Sequence, residues 1–446
     1  MEGKLLIMRM TPHLMVKIGL GGLGLLLVIF SVLAAPAREY IDIRAPLTKK
    51  YTIAVPQPQP LGGPDTAARL GSEVTSQANF CLKNSGWFTV LDPGTYDAQA
   101  PSGLTPDTAR LHYFTQIGCH LLITSGFQIE GPQLRLEMRL YDPGSGQMLL
   151  GKRYRGPTDT ARQMVTQFIE AVIFHLTGQR GGVPRGQIAF INARKDHKEL
   201  YTLDLHNNKT EQLTRLRTIT LTPAWSSDGQ EIIFCSYRRG FPALYAVRVA
   251  TKAVRRLKSN GTLNITPAWG PGNLIAATLN KDGNQEIYLL NPQGVIKERL
   301  TTGPTIDLSP SFSPDGRQIA FVSNRGGTPQ IYVMSTQGGQ PRRLTFSGAY
   351  NVSPAWSPKG DQIAYAGRQG GQFQIFTIPV QGGSSKQLTQ EGSSESPTWS
   401  PDGNFIACSS TRGGQTAIYL VNVTRGSMTR LTTMSGQQTQ PAWSPK

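Results

Sequence analysis

The sequence predicts a small α/β domain followed by a six-bladed β-propeller that the C-terminal strand closes. Three observations support this fold class. A motif recurs every 43 or 44 residues over the second half of the chain, each period holds four short strand patterns, and residues 47–182 lack the repeat and instead mix strand and helix patterns. Four strands in a period of about 40–45 residues are typical of a propeller blade. The 48 glycines and 31 prolines among the 446 residues fit such a turn-rich chain.

The repeat is a Pro-x-Trp sequence followed by Ser-Pro-Asp-Gly. Proline presets φ, aspartate bonds to nearby backbone and glycine accepts a positive φ, so Pro-Asp-Gly predicts a tight turn between two strands. Five of the six tryptophans of the chain stand at the third position of the motif, and Phe312 takes the remaining place. The motif starts at Pro223, Pro267, Pro310, Pro354, Pro397 and Pro441.

The order of the strand patterns predicts how the ring closes. Three further patterns follow each turn, and this set of three occurs six times, beginning at Gln187. Pro-x-Trp also occurs six times, but displaced by one step. No Pro-x-Trp precedes the first set of three patterns, and no strand pattern follows the last Pro-x-Trp, at 441–443. We therefore expect the C-terminal strand to complete one blade with residues 187–214, and the ring of Trp443 to pack between blades.

Residues 47–182 predict the α/β domain, and a glycine-rich linker at 179–183 leads into the propeller at 183–446. Strand patterns stand at 51–55, 87–91, 121–124, 134–140 and 148–150. Helices are expected from Pro64 to about Lys83, from Pro106, and along an apolar stripe from Met164 to Leu176. Apolar and charged residues alternate at 134–140, which predicts a strand with one buried and one wet face.

Residues 1–37 predict a cleavable signal peptide. The first 17 residues carry only Lys4, Arg9 and Lys17 as basic residues, residues 18–37 are uncharged and Leu-rich, and the run ends in Ala35-Pro36-Ala37. Cleavage after Ala37 would make Arg38 the first mature residue. The alternative is an uncleaved membrane anchor, because the run is about the 20 residues that span a bilayer. Its glycines and small-residue end favour cleavage and export.

The net charge of +17 lies mostly in the propeller region, where residues 181–446 carry 28 Lys and Arg against 15 Asp and Glu. Export argues against nucleic acid as the partner, so an anionic protein or membrane surface fits better. A solvated basic surface without a single target is the alternative.

The four cysteines do not predict a disulfide scaffold in a chain of this length. Cys81 and Cys119 both fall in the α/β domain and could pair. Cys235 and Cys408 align one position apart in different blades, so they face opposite ways and are expected to be buried core thiols.

Catalysis is not expected. Similar repeats occur in propellers attached to prolyl-oligopeptidase-type peptidases, but the chain has no Gly-x-Ser-x-Gly nucleophile motif and no hydrolase-sized segment to carry one. Its histidines lack spaced partners for a metal site, and the repeated aspartate is a turn residue. We expect no enzymatic activity, no cofactor, no metal and no small-molecule substrate.

The chain resembles the TolB family of periplasmic propeller proteins. The likeness rests on the order of signal peptide, α/β domain and closed six-blade repeat, and on two segments, Gly86-Trp-Phe-Thr-Val-Leu-Asp92 and the junction from Leu176 to Phe190. It departs in the first blade, where Leu205-His-Asn-Asn-Lys209 replaces an Asp-Gly turn and puts the shape of that turn in question.

The resemblance implies a monomeric, non-catalytic scaffold of the Tol–Pal system. Its propeller would bind the lipoprotein Pal and its mature N-terminus would bind TolA, for outer-membrane integrity and constriction during division. A periplasmic peptide- or glycan-binding propeller is the alternative.

The segment at 38–46 is the predicted TolA-binding tail. Ile41 and Ile43 alternate with Asp42 and Arg44, and Pro46 ends the run, so the segment suits addition to a partner's sheet edge. An ordered flap on the chain's own domain is the alternative. The residues expected to contact TolA are Tyr40, Ile41, Asp42, Ile43 and Arg44.

The Pal site is predicted at one mouth of the propeller channel. The loops that precede each Pro-x-Trp are expected to surround this mouth, together with the Arg-rich loops between the second and third strands. By resemblance, the lipoprotein docks at the segment just before Pro-x-[Trp/Phe]. The candidate residues are Thr220, Thr222, Leu263, Asn264, Thr266, Asp307, Leu308, Ser309, Tyr350, Asn351, Ser353 and Glu395, with Arg238, Arg325, Arg368 and Arg412 on the rim.

Overall fold

A computed structural model of the chain describes residues 50–62, 68–96, 103–259, 262–281 and 283–445. The predicted signal peptide, the tail at 38–46 and the start of the first helix at Pro64 lie outside these residues. Within the described ranges, no helix combines the length and the apolar character needed to cross a membrane.

The N-terminal sheet has the strand order β3-β1-β4-β5-β6, with the short β2 paired to β4. The strands β1, β3 and β4 are parallel, and β4, β5 and β6 form an antiparallel meander. The bounds are β1 Tyr51–Ala54, β2 Gln59–Pro60, α1 Ala68–Ser85, β3 Phe88–Val90, α2 Leu111–Gln116, β4 Leu121–Glu130, β5 Gln133–Asp142, β6 Gln147–Pro157 and α3 Ala161–Thr177.

Helices cover this sheet on both faces. The longer helices α1 and α3 pack on one face, where Val74, Phe168 and Ile173 meet Leu136 and Leu140 of β5. The short α2 covers part of the other face, where Phe114 packs with Tyr96 and Tyr141. The apolar stripe of α3 is buried, as its 3.6-residue period predicts.

The wet face predicted for β5 is wrong at its centre. Glu137 is only 8% exposed, and Arg153 of the neighbouring strand donates to its Oε1 at 2.9 Å. Arg135 and Arg139 of β5 approach the same carboxylate at 3.7 and 3.8 Å. The three guanidinium groups compensate the charge of the Glu137 carboxylate, so it can be largely buried.

The propeller has six four-stranded antiparallel blades, which confirms the predicted fold class. Blade 2 contains β10 Thr220–Trp225, β11 Glu231–Ser236, β12 Ala243–Arg248 and β13 Val254–Arg256. Blade 3 contains β14 Leu263–Trp269, β15 Ile275–Asn280, β16 Gln285–Leu290 and β17 Ile296–Arg299. Blade 4 contains β18 Asp307–Phe312, β19 Gln318–Ser323, β20 Gln330–Ser335 and β21 Arg342–Arg343.

Blade 5 contains β22 Asn351–Trp356, β23 Gln362–Gln369, β24 Gln372–Pro379 and β25 Lys386–Gln387. Blade 6 contains β26 Ser394–Trp399, β27 Phe405–Ser410, β28 Ala417–Asn422 and β29 Met428–Arg430. Blade 1 closes the ring with β7 Gln187–Ala193, β8 Lys198–Asp204, β9 Lys209–Gln212 and the C-terminal β30 Gln437–Trp443. This closure is the predicted one.

The C-terminal strand is anchored by Trp443. Trp443 stands opposite Ile188 in the antiparallel pairing of β30 with β7. Its ring packs between blades 1 and 6, against residues that include Phe405 and Leu420. The indole Nε1 donates to the carbonyl oxygen of Arg185 at 2.7 Å. The prediction that this ring packs between blades is confirmed.

The repeated Ser-Pro-Asp-Gly segment forms the turn between the first two strands of a blade. In blade 4, the Oδ1 atom of Asp315 accepts hydrogen bonds from the Ser313 hydroxyl and the Arg317 amide, and Gly316 has a φ of 71°. The Ser313 hydroxyl also holds the pKa of Asp315 below its usual value. The segment 205–209, which lacks Asp-Gly, is a different turn, between the third and fourth strands of blade 1; there Asp204 Oδ1 accepts from the His206 amide and Asn208 takes the left-handed conformation with φ 49°.

Cys81 and Cys119, whose pairing the sequence left open, are both free. Cys81 lies in the core beneath α1 and α3, whereas Cys119 lies in the cluster on the other face of the sheet. Cys235 and Cys408 are free and buried in the propeller, as predicted. Burial raises the pKa of Cys119 to about 11 and the pKa values of the other three thiols, Cys81, Cys235 and Cys408, to about 12.

Candidate protein-binding face

Two sets of propeller loops meet on one face, here called the mouth face. One set joins the last strand of a blade to the first strand of the next, and the other joins the second and third strands within a blade. The backbone amide of Tyr237, in the second set, donates to the carbonyl oxygen of Ile219, in the first set, at 3.0 Å. The amide of Arg368, at the end of β23 where the second set begins in blade 5, donates likewise to the carbonyl oxygen of Tyr350 at 2.9 Å. The two loop sets therefore form one continuous surface, as the strand order predicts.

The polar residues three positions before each motif proline are buried, so their side chains are not accessible to a partner in this structure. Each begins or nearly begins the first strand of its blade, and none is more than 2% exposed. The predicted site residues Thr220, Asn264, Asp307 and Asn351 belong to this set, together with Ser394 and Gln438.

Apart from the Thr220 hydroxyl, which is buried without a hydrogen bond, these groups have partners in the same blade or in a neighbouring one. Asn351 donates through Nδ2 to Gln330 Oε1 at 2.8 Å, and Asp307 receives Arg325 Nη2 at 3.0 Å. Asn264 donates to the carbonyl oxygen of Pro242 at 3.4 Å. Because a buried polar group is costly unless it is paired, these residues stabilise the strand ends instead of facing a partner.

The residues directly before the motif prolines have left-handed backbone and half-buried side chains. Their φ values lie between 44° and 54°, and the pairing of first and second strands shifts at this point. The set comprises Thr222, Thr266, Ser309, Ser353, Ser396 and Gln440.

Two of these side chains link neighbouring blades. Gln440 Oε1 accepts from the Thr222 amide at 2.9 Å, and Thr266 Oγ1 accepts from the Ser309 amide at 3.2 Å. The neighbouring Leu263 and Leu308 are half-buried, and Glu395 is exposed. The accessible members of the predicted site therefore lie on both sides of the buried position three residues before the proline.

The four predicted rim arginines differ in availability. Arg238 and Arg368 are exposed. Arg325 is tied down, because its guanidinium pairs with the buried Asp307 and lies 5.3 Å from the ring centroid of Tyr332. Arg412 forms an ion pair of 2.7 Å with Glu391. Arg325 is therefore less available to a partner than Arg238 and Arg368, because Asp307 compensates its charge.

Exposed apolar residues on the mouth face escaped the sequence analysis, except for Tyr350. Of nine large apolar side chains that are exposed in the described part of the chain, five lie here: Ile219, Phe241, Ile306, Phe346 and Tyr350. Phe346 is 74% exposed, and the guanidinium of Arg343 lies 5.0 Å from its ring centroid. Their position in loops could have suggested them, since loop residues need no apolar side chains for folding.

Further basic residues also surround this face on the side of blades 1 and 2. The loops there carry exposed Arg194, Lys195, Arg215, Arg217 and Arg239 beside Arg238. Arg256 lies 5.6 Å from the ring centroid of the exposed Phe241. Arginine and aromatic residues are enriched in protein–protein interfaces. The mouth face thus combines an apolar side with a strongly basic side.

The N-terminal domain contacts the opposite face of the propeller, so it leaves the mouth face open. Arg425, in the turn after β28, lies over the Trp87 ring at 3.6 Å from its centroid. Asn422 Nδ2 donates to the carbonyl oxygens of Asn84 and Ser85 at 3.4 and 3.2 Å. Gly86 has a φ of 75°, and a Cβ there would lie 2.9 Å from Arg425 Cγ. The described residues contain no group of three or more His, Cys, Asp or Glu that could hold a metal ion.

Comparison with known proteins identifies the family. A family model described as the TolB beta propeller domain matches residues 174–446, and one described as the TolB amino-terminal domain matches residues 39–149. The chain belongs to the TolB family. The resemblance drawn from the repeat is thereby confirmed.

Relatives of the TolB family match mainly over part of their length. The Tol-Pal system protein TolB of Desulfosudis oleivorans is 39% identical over 291 residues, which cover 64% of this chain and 65% of that protein. The protein TolB homolog of Chlorobium chlorochromatii is 37% identical over 63% of each chain. The matched region therefore spans just under two thirds of these curated TolB relatives.

A solved TolB structure shares the fold. The crystal structure of TolB from Acinetobacter baumannii superposes with a TM-score of 0.74 and covers 89% of this chain and 97% of its own. At 24% identity, this likeness supports the architecture alone.

Proposed function

We propose that this chain is a non-catalytic periplasmic scaffold of the Tol–Pal system. In this proposal the propeller binds the lipoprotein Pal and the mature N-terminal tail binds TolA, and together these contacts support outer-membrane integrity and constriction during division. The curated relatives named as Tol-Pal system proteins support the system, and the signal-peptide pattern supports the periplasm.

One observation carries the choice of the mouth face as the Pal site. Exposed apolar side chains and uncompensated arginines are concentrated there, on the face that the N-terminal domain leaves open. A folded protein with an apolar patch and an acidic side would bury the former and pair the latter. The half-buried Thr266 and Ser309 would contact it where it enters the channel.

The mouth site is tested with purified Pal and the mature chain by calorimetry and stopped-flow kinetics. Phe346→Asp with Tyr350→Asp should weaken binding by at least about tenfold, or 1.4 kcal/mol, because the apolar contact is lost. Arg238→Glu with Arg368→Glu should slow association and flatten its salt dependence. Replacing Thr266 and Ser309 by bulkier residues should weaken binding without unfolding the propeller.

Phe174→Asp is the matched control, because Phe174 is a 47% exposed phenylalanine on α3, away from the mouth face. Wild-type affinity in the mouth-face variants would move the Pal site elsewhere. Arg325→Glu is unsuitable as a test, because it would place a second carboxylate beside the buried Asp307.

The tail is tested by deletion. A chain that starts at residue 47 should lose TolA binding, because the alternating segment at 38–46 supplies the strand that TolA would accept. Pal binding and the melting temperature should stay unchanged. Undiminished TolA binding by the truncated chain would contradict this part of the proposal.

A further inference from the structure

The strand β6 is a long free edge of the N-terminal sheet. It runs for 11 residues, Gln147–Pro157, and pairs only with β5 among the described strands. The opposite edge, β3, has three residues and follows Trp87, which contacts the propeller. A free edge presents a row of unpaired amides and carbonyls that can pair with another chain. The sheet therefore has one edge that is both long and accessible.

The face of the sheet beside this edge carries more arginine than carboxylate. Leu134, Leu136, Met138 and Leu140 of β5 point toward α1 and α3, so the residues between them point the other way. That other face bears four guanidinium groups and two carboxylates: Arg135, Arg139, Arg153 and Arg155, with Glu137 and Glu130. The local charge is thus +2.

The arginines nearest the edge are the most exposed ones. The side chains of Arg153 and Arg155 are 68% and 69% exposed, and they stand two residues apart on β6. Each pairs with one carboxylate, at 2.9 and 3.2 Å. Behind them, Arg135 has a buried Nε that makes no hydrogen bond and lies 3.7 Å from Glu137 Oε1. Four guanidinium groups therefore share two carboxylates, and the group keeps a net positive charge.

We propose that β6 is a docking edge for an extended acidic segment of a partner protein, which adds to the sheet as a further strand. Directly opposite side chains in neighbouring strands lie about 5 Å apart. Acidic residues at alternate positions of the added strand would therefore face Arg153 and Arg155 together. Backbone pairing supplies affinity, and the two arginines supply the preference for acidic sequences.

The charge also indicates what does not bind. A second copy of this chain that paired β6 with β6 would bring exposed arginines together, which like-charge repulsion disfavours. Basic side chains on an edge deter indiscriminate strand pairing. Apart from Glu130, the exposed charged side chains on this face are all basic. Arg153 and Arg155 should therefore disfavour neutral or basic strands and favour an acidic one.

The test uses the mature full chain and a fluorescein-labelled 12-residue peptide of alternating Glu and Val, with fluorescence anisotropy as the readout. We expect saturable binding that weakens with salt, and at least about tenfold weaker binding by Arg155→Glu. Arg155 is the variant of choice because it pairs with the exposed Glu130 and leaves Glu137 its partners. An alternating Lys-Val peptide should not bind.

A peptide with the same sequence but alternate backbone amides methylated separates strand addition from simple charge attraction. It should bind at least about tenfold more weakly, and the amides of β6 should gain hydrogen-exchange protection only with the unmethylated peptide. Equal binding of both peptides would overturn the proposal, as would binding that anionic phospholipid vesicles displace.

The variant Arg238→Glu with Arg239→Glu, which removes twice as much positive charge elsewhere on the chain, is the charge control. It changes the mouth face, so peptide binding should be unaffected. If this control lost the peptide and Arg155→Glu kept it, the acidic site would be the mouth face and the proposal for β6 would fail. Pal binding by Arg155→Glu should be unchanged, which keeps the two proposals separable.

Discussion

At the scale of single residues, tryptophans at the same position of the repeat make different hydrogen bonds. Trp443 and Trp356 are 6% and 8% exposed and each packs between blades. The indole of Trp443 donates to Arg185, whereas the Nε1 atom of Trp356 is buried without a partner. The two side chains therefore offer the same buried area but differ in one hydrogen bond.

This difference predicts unequal costs for one substitution. Trp443→Phe should lower the free energy of unfolding by about 1 kcal/mol more than Trp356→Phe, because only the former leaves a carbonyl without its donor. Denaturation midpoints measured with urea would show it. Equal losses would mean that the bond to Arg185 contributes nothing net.

At the scale of elements, the repeat predicted most of the propeller because each strand has the same neighbours in every blade. Period, turn chemistry and the displaced Pro-x-Trp were enough to place the strands and the closing blade. Burial of the residues three positions before proline could not be predicted, because their partners lie on other strands, some of them in the preceding blade. Gln330 satisfies Asn351, and Arg325 satisfies Asp307, although both pairs are far apart in sequence.

In the α/β domain too, the sequence predicted the strand but not the contacts made by distant residues. The alternation at 134–140 placed β5 and its buried face correctly. It could not reveal that Glu137 would be enclosed, since that depends on Arg153, which only the pairing of β5 with β6 brings opposite. Nor could the short apolar run at 148–150 predict that β6 extends to Pro157, because its basic half carries no strong strand signal.

At the scale of the whole molecule, the N-terminal domain and the propeller are joined by more than the linker. Arg425 lies over Trp87, and Arg185, just before β7, pairs with Glu170 of α3. The carbonyl of the same Arg185 holds Trp443 of the closing strand. The domain contact and the ring closure thus share a residue.

Removing the Arg425–Trp87 contact should weaken the coupling between the N-terminal domain and the propeller. Arg425→Ala should destabilise the N-terminal domain by about 1–2 kcal/mol, the value of a partly buried cation–π pair, and lower its melting transition by several degrees. Scanning calorimetry should show that transition separating from the propeller transition. Arg368→Ala, an exposed arginine on the mouth face, should leave the scan unchanged; the same scan for Arg425→Ala would contradict the coupling.

The closure of blade 1 by β30 has a consequence for the life of the chain during synthesis. The strand β7 emerges some 250 residues before the strand that pairs with its inner edge. Until residues 437–443 arrive, that edge stays open, and the long loop between β7 and β30 must close before the ring gains its last contacts. A chain that stops before Gln437 would keep the edge of β7 unpaired permanently. Incomplete copies should therefore remain partly unfolded and be degraded by proteases faster than the full chain.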